Sequence, residues 1–156
     1  MSKLPPLTWA RFFSGVVAVT MGCALNYFGD RLLGVKIELF RGILDFNSLW
    51  VIDMLVLPFF VGILVAVIFG LGGKWLCYFP PLIVKLVSYL DSVYLSGIPE
   101  DASLIPFGMW ALFVTVVMTA AAFGGVMGEI MVKRTYGRSP RAFLYKQSSD
   151  SRESDI

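Results

Sequence analysis

Three ionisable side chains, Asp53, Lys85 and Asp91, stand within or beside stretches of this sequence that are otherwise apolar. A charged group in such surroundings needs a partner or water, and by default it marks a path for an ion, a proton or a polar substrate. Asp53 falls about one turn into Leu49–Gly73, a run in which no other residue ionises. At that depth the ordinary solution is hydration at the interface or a donor from a neighbouring helix. The chemical alternative is that Asp53 binds a cation or a proton, with Lys85 as counter-charge. Lys85 itself ordinarily snorkels to an interface. Lys85 and Asp91 are six residues apart, roughly 240° around a helix, so they do not simply neutralise each other.

Other chemistry is thinly represented. The chain has no histidine, which removes the usual haem ligand, the usual nitrogen ligand of zinc or copper, and the commonest proton shuttle. Its two cysteines, Cys23 and Cys77, lie in or beside apolar segments without CxxC spacing, so neither a disulfide framework nor a metal site is signalled. No nucleophile and base are arranged as an enzyme would need. We therefore expect no cofactor, no metal and no catalytic residues.

The elements that must position the charged groups are membrane helices. The chain has 156 residues, of which 57% are hydrophobic and 15% charged, and its mean hydropathy is +0.76. That lies well above a soluble globular composition. The sequence predicts an all-α integral membrane protein, a small bundle of four (alternatively three) transmembrane helices with an interfacial segment. Expected spans are 8–28, 49–73, 75–95 and 104–129, within a membrane domain 1–132 followed by a tail 133–156. Each is long enough at about 1.5 Å per residue to cross a hydrocarbon core of roughly 30 Å. The third is the one that separates three spans from four, because Leu82, Ile83, Leu86, Val87 and Leu90 form one face while Lys85, Ser88, Asp91 and Ser92 occupy the other.

Small residues recur at four-residue steps in three of these segments: Ser14, Ala18 and Gly22, leading to Asn26; Gly62, Ala66 and Gly70; Ala120, Gly124 and Gly128. Such stripes let helix backbones approach where lipid supplies no hydrophobic drive. On a regular helix Asp53 lies about 140° from the Gly62 stripe, so this helix has two faces that call for protein contact. A second chain is a natural supplier. Pro58 leaves the Met54 carbonyl without its helical donor and should bend the helix. Glu129 and Lys133 are spaced as a boundary ion pair.

Between the first two spans, Asp30–Ser48 mixes charged and apolar residues, too charged to cross and too apolar for a free loop, and is expected to lie on the membrane surface or against a partner. Basic residues in short loops favour the cytoplasm. Either span count leaves nine of them inside, against three outside for four spans or four for three spans, and both put the tail in the cytoplasm. There Lys133, Arg134, Arg138 and Arg141 would contact anionic lipid headgroups in a bacterial-type cytoplasmic membrane. Nucleic acid is not an expected partner. The functional expectation is a non-catalytic structural or accessory subunit of a membrane complex, or a homo-oligomer. The alternative is a transport protein in which an oligomer arranges Asp53, Lys85 and Asp91 along an ion or small-solute path.

Overall fold

The computed structural model describes residues 9–42, 46–70 and 72–136. Helix α1 spans Trp9–Leu33. A short α2, Ser48–Val51, passes through a wide π turn, Ile52–Val56, into α3, Leu57–Phe69, as one continuous rod. A 3₁₀ segment, Gly73–Tyr78, leads directly into α4, Phe79–Tyr94, and α5 closes the chain at Phe107–Tyr136. Among the described residues four helices are long and apolar enough to cross a membrane, Gly73–Tyr94 among them. They pack as a bundle, and the protein is an all-α, multi-pass membrane protein.

Their directions follow from side-chain neighbours. Gly22 of α1 lies against Val65 of α3 while Gly29 lies against Leu57, so these helices are antiparallel. On α3 and α5, Phe59 meets Gly124 and Ala66 meets Gly128, so these run in the same direction. Both ends of the described chain are thus on one side of the bundle, together with the 3₁₀ segment. The loop residues 34–42 and 95–106 share the other side.

The helix ends differ from those read in the sequence for identifiable reasons. α1 continues past residue 28 because Asp30 finds a cation inside the bundle and Arg31 donates to the Tyr27 hydroxyl one turn back, at 2.8 Å. It stops at Gly34, whose φ of +65° is the left-handed conformation that ends helices. The second span ends at Phe69 and not at residue 73, because Gly70 has a φ of +82°. The fourth span starts at Phe107 and not at residue 104, because Ser103–Leu104 is extended. These two residues pair antiparallel with Leu39–Phe40, the only strand pair among the described residues.

This pairing pulls part of the expected interfacial segment over the loop-side end of the bundle. Ile37, Glu38 and Leu39 are buried there, and the surface they lie against belongs to this chain and not to a partner. Ile37 joins Met54, Ile105, Trp110, Val114 and Val117 in one apolar cluster. A second cluster, Ala18, Val61, Val65, Ala66 and Cys77, fills the half nearer the chain ends. The outer face is apolar too: Phe12, Phe60, Val87, Leu112 and Phe123 point outward, as a surface solvated by lipid requires.

Candidate functional site: a buried Asp–Lys–Asp cluster

Three helical elements each deliver one charged residue to the same point. Lys85 of α4 donates to Asp53 Oδ2 from the π turn at 2.8 Å and lies 2.9 Å from Asp30 Oδ2 of α1. Side-chain exposure is 2% for Lys85, 0% for Asp53 and 16% for Asp30. Asp53 thus has the donor from a neighbouring helix that the sequence allowed, and Lys85 does not reach outward but into the bundle. Each is held by the other in the protein interior.

Local sequence explains how the groups arrive there. Pro58 cannot supply the N–H that the Met54 carbonyl would accept, and the chain widens just before it: Leu57 N–H donates to the Ile52 carbonyl, five residues back. A π turn carries in effect one extra residue, so the angle of about 140° between Asp53 and the Gly62 face, which assumes a regular helix, does not hold across it. On α4, Lys85, Ser88 and Ser92 are spaced i, i+3 and i+7, one face of a helix. All three have polar partners from elsewhere in the chain. Ser88 Oγ donates to Glu38 Oε1 at 2.6 Å and Ser92 Oγ donates to the same oxygen at 3.3 Å. Glu38 is buried, so the loop contributes an acid above the cluster.

Several polar atoms in this region lack a hydrogen-bond partner. They are Asp30 Oδ1, Asp53 Oδ1, and both Oδ1 and Nδ2 of Asn26, which is fully buried one turn before Asp30 on α1. With both acids ionised the cluster carries two negative charges and one positive. Among the described residues no three His, Cys, Asp or Glu side chains are grouped so as to hold a metal ion.

The remaining residues singled out by sequence fall elsewhere. Asp91 is outside the cluster; its Oδ2 accepts from Ser96 Oγ at 2.7 Å on an exposed helix end. Ser14 donates to the Ile68 carbonyl at 3.3 Å, Ala18 and Ala66 are fully buried, and Gly22 sits against Pro80 and Val65. Gly62 and Gly124 make the tightest approach: a Cβ on either would fall on a carbonyl oxygen of the facing helix, Ala121 or Phe59 respectively. Ala120 and Gly128 belong to the same seam, Gly128 against Ala66 and Ile63. Gly70 does not: a Cβ added there would meet nothing within 4 Å, and the residue serves as a helix terminator. Lys133 and Arg134 are on the last turns of α5, whereas Arg138 and Arg141 lie outside the described residues. Glu129 is turned toward the 3₁₀ hairpin, where its Oε1 accepts from Gly72 N–H at 2.8 Å and Lys74 N–H at 3.3 Å.

Sequence reasoning missed Asp30 and Glu38. The signal for Asp30 was present, since the series Ser14, Ala18, Gly22, Asn26 has Asp30 as its next member. Glu38 had no comparable signal, because it acts from a segment without helical periodicity. Compared with known proteins, the chain matches no family model, and no curated protein or solved structure is significantly similar to it.

Proposed function

We propose that this chain is a membrane transport protein, and that the Asp30–Lys85–Asp53 cluster is the polar station on its ion or small-solute path. The observation that carries this reading is the cluster itself: two carboxylates from separate elements, both within 2.9 Å of one ammonium, and all three groups nearly or wholly withdrawn from solvent. Removing charges from water costs several kcal/mol per ion, and apolar side chains would pack this point at least as stably. Intramembrane charges at such cost are characteristic of ion and proton paths. Both Asp53 and Lys85 come from a single chain, so the path needs no oligomer to assemble its charged groups.

We place the protein in a bacterial-type cytoplasmic membrane with both termini inside. The chain-end side holds Arg11, Lys74, Lys133 and Arg134 with Glu129, and the loop side holds Arg31, Lys36 and Arg41 with Glu38, Asp91, Glu100 and Asp101, so the chain-end side is the more basic of the two. A basic cytoplasmic side is the usual arrangement. The cluster then lies nearer the outer face.

A role as an accessory subunit of a membrane complex is the second reading. It is favoured by an open apolar groove of about 610 Å³ between α3 and α5, lined by Leu55, Phe59, Thr115, Thr119 and Phe123, which would accept a transmembrane helix of another subunit. The two contact faces of the Asp53 helix give it no support, because α1, α4 and α5 of the same chain cover both.

The test is reconstitution of the purified chain into liposomes. Under an imposed gradient the wild type should pass protons, sodium, potassium or a small polar solute above the level of empty liposomes. Asp53→Asn, if still monodisperse, should not. Wild-type vesicles that behave as empty ones toward all of these would overturn the transport reading, and co-purification of a stoichiometric membrane partner would then favour the second.

A further inference from the structure

With both acids ionised the cluster has one negative charge in surplus, and each acid keeps one oxygen without a partner. Asp30 and Asp53 each turn Oδ2 to Lys85 and keep Oδ1 without a partner. Asn26 adds a side-chain amide that is fully buried and unpartnered at both atoms, one turn from Asp30 on the same face of α1. Buried polar atoms are rarely left in this condition, because each forfeits the hydrogen bonds it had in water. Gly22, one turn further along that face, meets Val65 and Pro80, and Gly29 meets Leu57, so this face of α1 is directed into the seam between α3 and α4.

We propose that Asp30 Oδ1, Asp53 Oδ1 and the Asn26 amide take up one monovalent cation, a proton or a sodium ion. This deepens the transport reading above and rests on it for its biological purpose, although the binding itself does not require it. The charge sets the class: one positive charge neutralises the cluster, an anion would face two carboxylates, and a divalent ion would add a surplus charge beside Lys85. Hard oxygen donors without imidazole or thiolate suit a proton or an alkali cation and not a transition metal. No other ionisable side chain approaches from α5, since Ala102–Gly128 has none.

Polar side chains lie between this site and the loop side of the bundle. Ser92, Ser88 and Lys85 line one face of α4, with Glu38 over the first two, so polar groups continue from the bundle end down to the cluster. Beyond Asn26 the interior turns apolar: Gly22 is closed against Pro80 and Val65, and Ala18, Val61, Val65 and Ala66 follow.

The experiment is carbodiimide labelling of the full-length chain in detergent, read by peptide mass spectrometry. Dicyclohexylcarbodiimide is apolar and adds to protonated carboxyl groups. We expect saturable labelling at Asp30 or Asp53, rising as pH falls. If sodium is the cation, replacing choline by sodium at fixed pH should suppress labelling at least tenfold; if the proton is, sodium should have no effect. Asn26→Leu, which leaves all three charges in place, should shift the sodium or proton midpoint by tenfold or more. Absence of labelling at both aspartates together with no sodium-dependent shift in wild-type melting would overturn the site, as would labelling confined to Glu38 or an Asn26→Leu midpoint equal to that of the wild type. Labelling without flux in liposomes would retire transport and keep the site, whereas flux without labelling or sodium protection would do the reverse.

Discussion

The Asp53 helix meets its neighbours in two different ways. At its loop-side end, contact with α1 and α4 depends on a few charged atoms: Asp53 and Asp30 each lie within 2.9 Å of the single Lys85 ammonium. Further along, contact with α5 depends on the lack of side chains, with Gly62 and Gly124 letting backbone touch backbone. The first contact is chemically replaceable, because a neutral isostere can occupy the same space. The second is not, because any added atom must displace a helix. A chain held together by shape alone would need only the second, and the presence of the first at a desolvation cost of several kcal/mol is what directs attention to function.

The sharpest way to break this contrast is to fill the glycine seam. Gly62→Leu or Gly124→Leu places a side chain where an Ala121 or Phe59 carbonyl already stands, and should cost more than about 4 kcal/mol. The check is loss of the monodisperse peak in size-exclusion chromatography, and a normal elution profile and melting curve would show that the two backbones do not touch there.

Next in size is Lys85→Met, which leaves two buried carboxylates facing each other. A loss of about 3–5 kcal/mol is expected from removing one partner of a buried charge network. Adding Asp53→Asn to Lys85→Met should return part of that loss, with a coupling of about 1–3 kcal/mol in a double-mutant cycle read by thermal or denaturant unfolding. Strict additivity would mean that the two groups do not interact.

Smaller effects separate the polar column from its surroundings. Ser88→Ala removes the shorter of the two hydroxyl contacts to Glu38, and should cost about 1–3 kcal/mol because the acceptor is a buried carboxyl group. Gly70→Ala tests a different property from Gly62→Leu: it meets open space but a φ of +82°, so about 1–3 kcal/mol of backbone strain is expected with the helix seam intact. Ser96→Ala, at an exposed position on the helix end, should cost well under about 1 kcal/mol and leave melting almost unchanged.

Sequence and structure agree wherever one helix face carries the whole pattern. The Gly62, Ala66 and Ala120, Gly124, Gly128 stripes were legible because a four-residue step is a property of a single helix, and their partner turned out to be each other. Gly70 kept the step but not the role, since its position beyond the last helical residue made its conformational freedom matter more than its size. Asp53 and Lys85 were visible as ionisable residues out of place. Their contact across 32 positions was not, because no local period relates two helices.

The sequence by itself determined that this is a membrane protein of helices and which of its residues are anomalous in an apolar setting. Length, hydropathy and the obligation of every backbone group to be satisfied within lipid leave few other folds. Only the tertiary structure decided which anomalies meet. It brought Asp30 and Glu38 in from a segment that composition assigns to the interface, left Asp91 out, and set Asn26 buried and unpartnered one turn from Asp30. The physical reason is that the cost of burying a charge depends on whether a partner lies within hydrogen-bonding reach of it, and that neighbourhood is fixed by how helices cross and loops fold back.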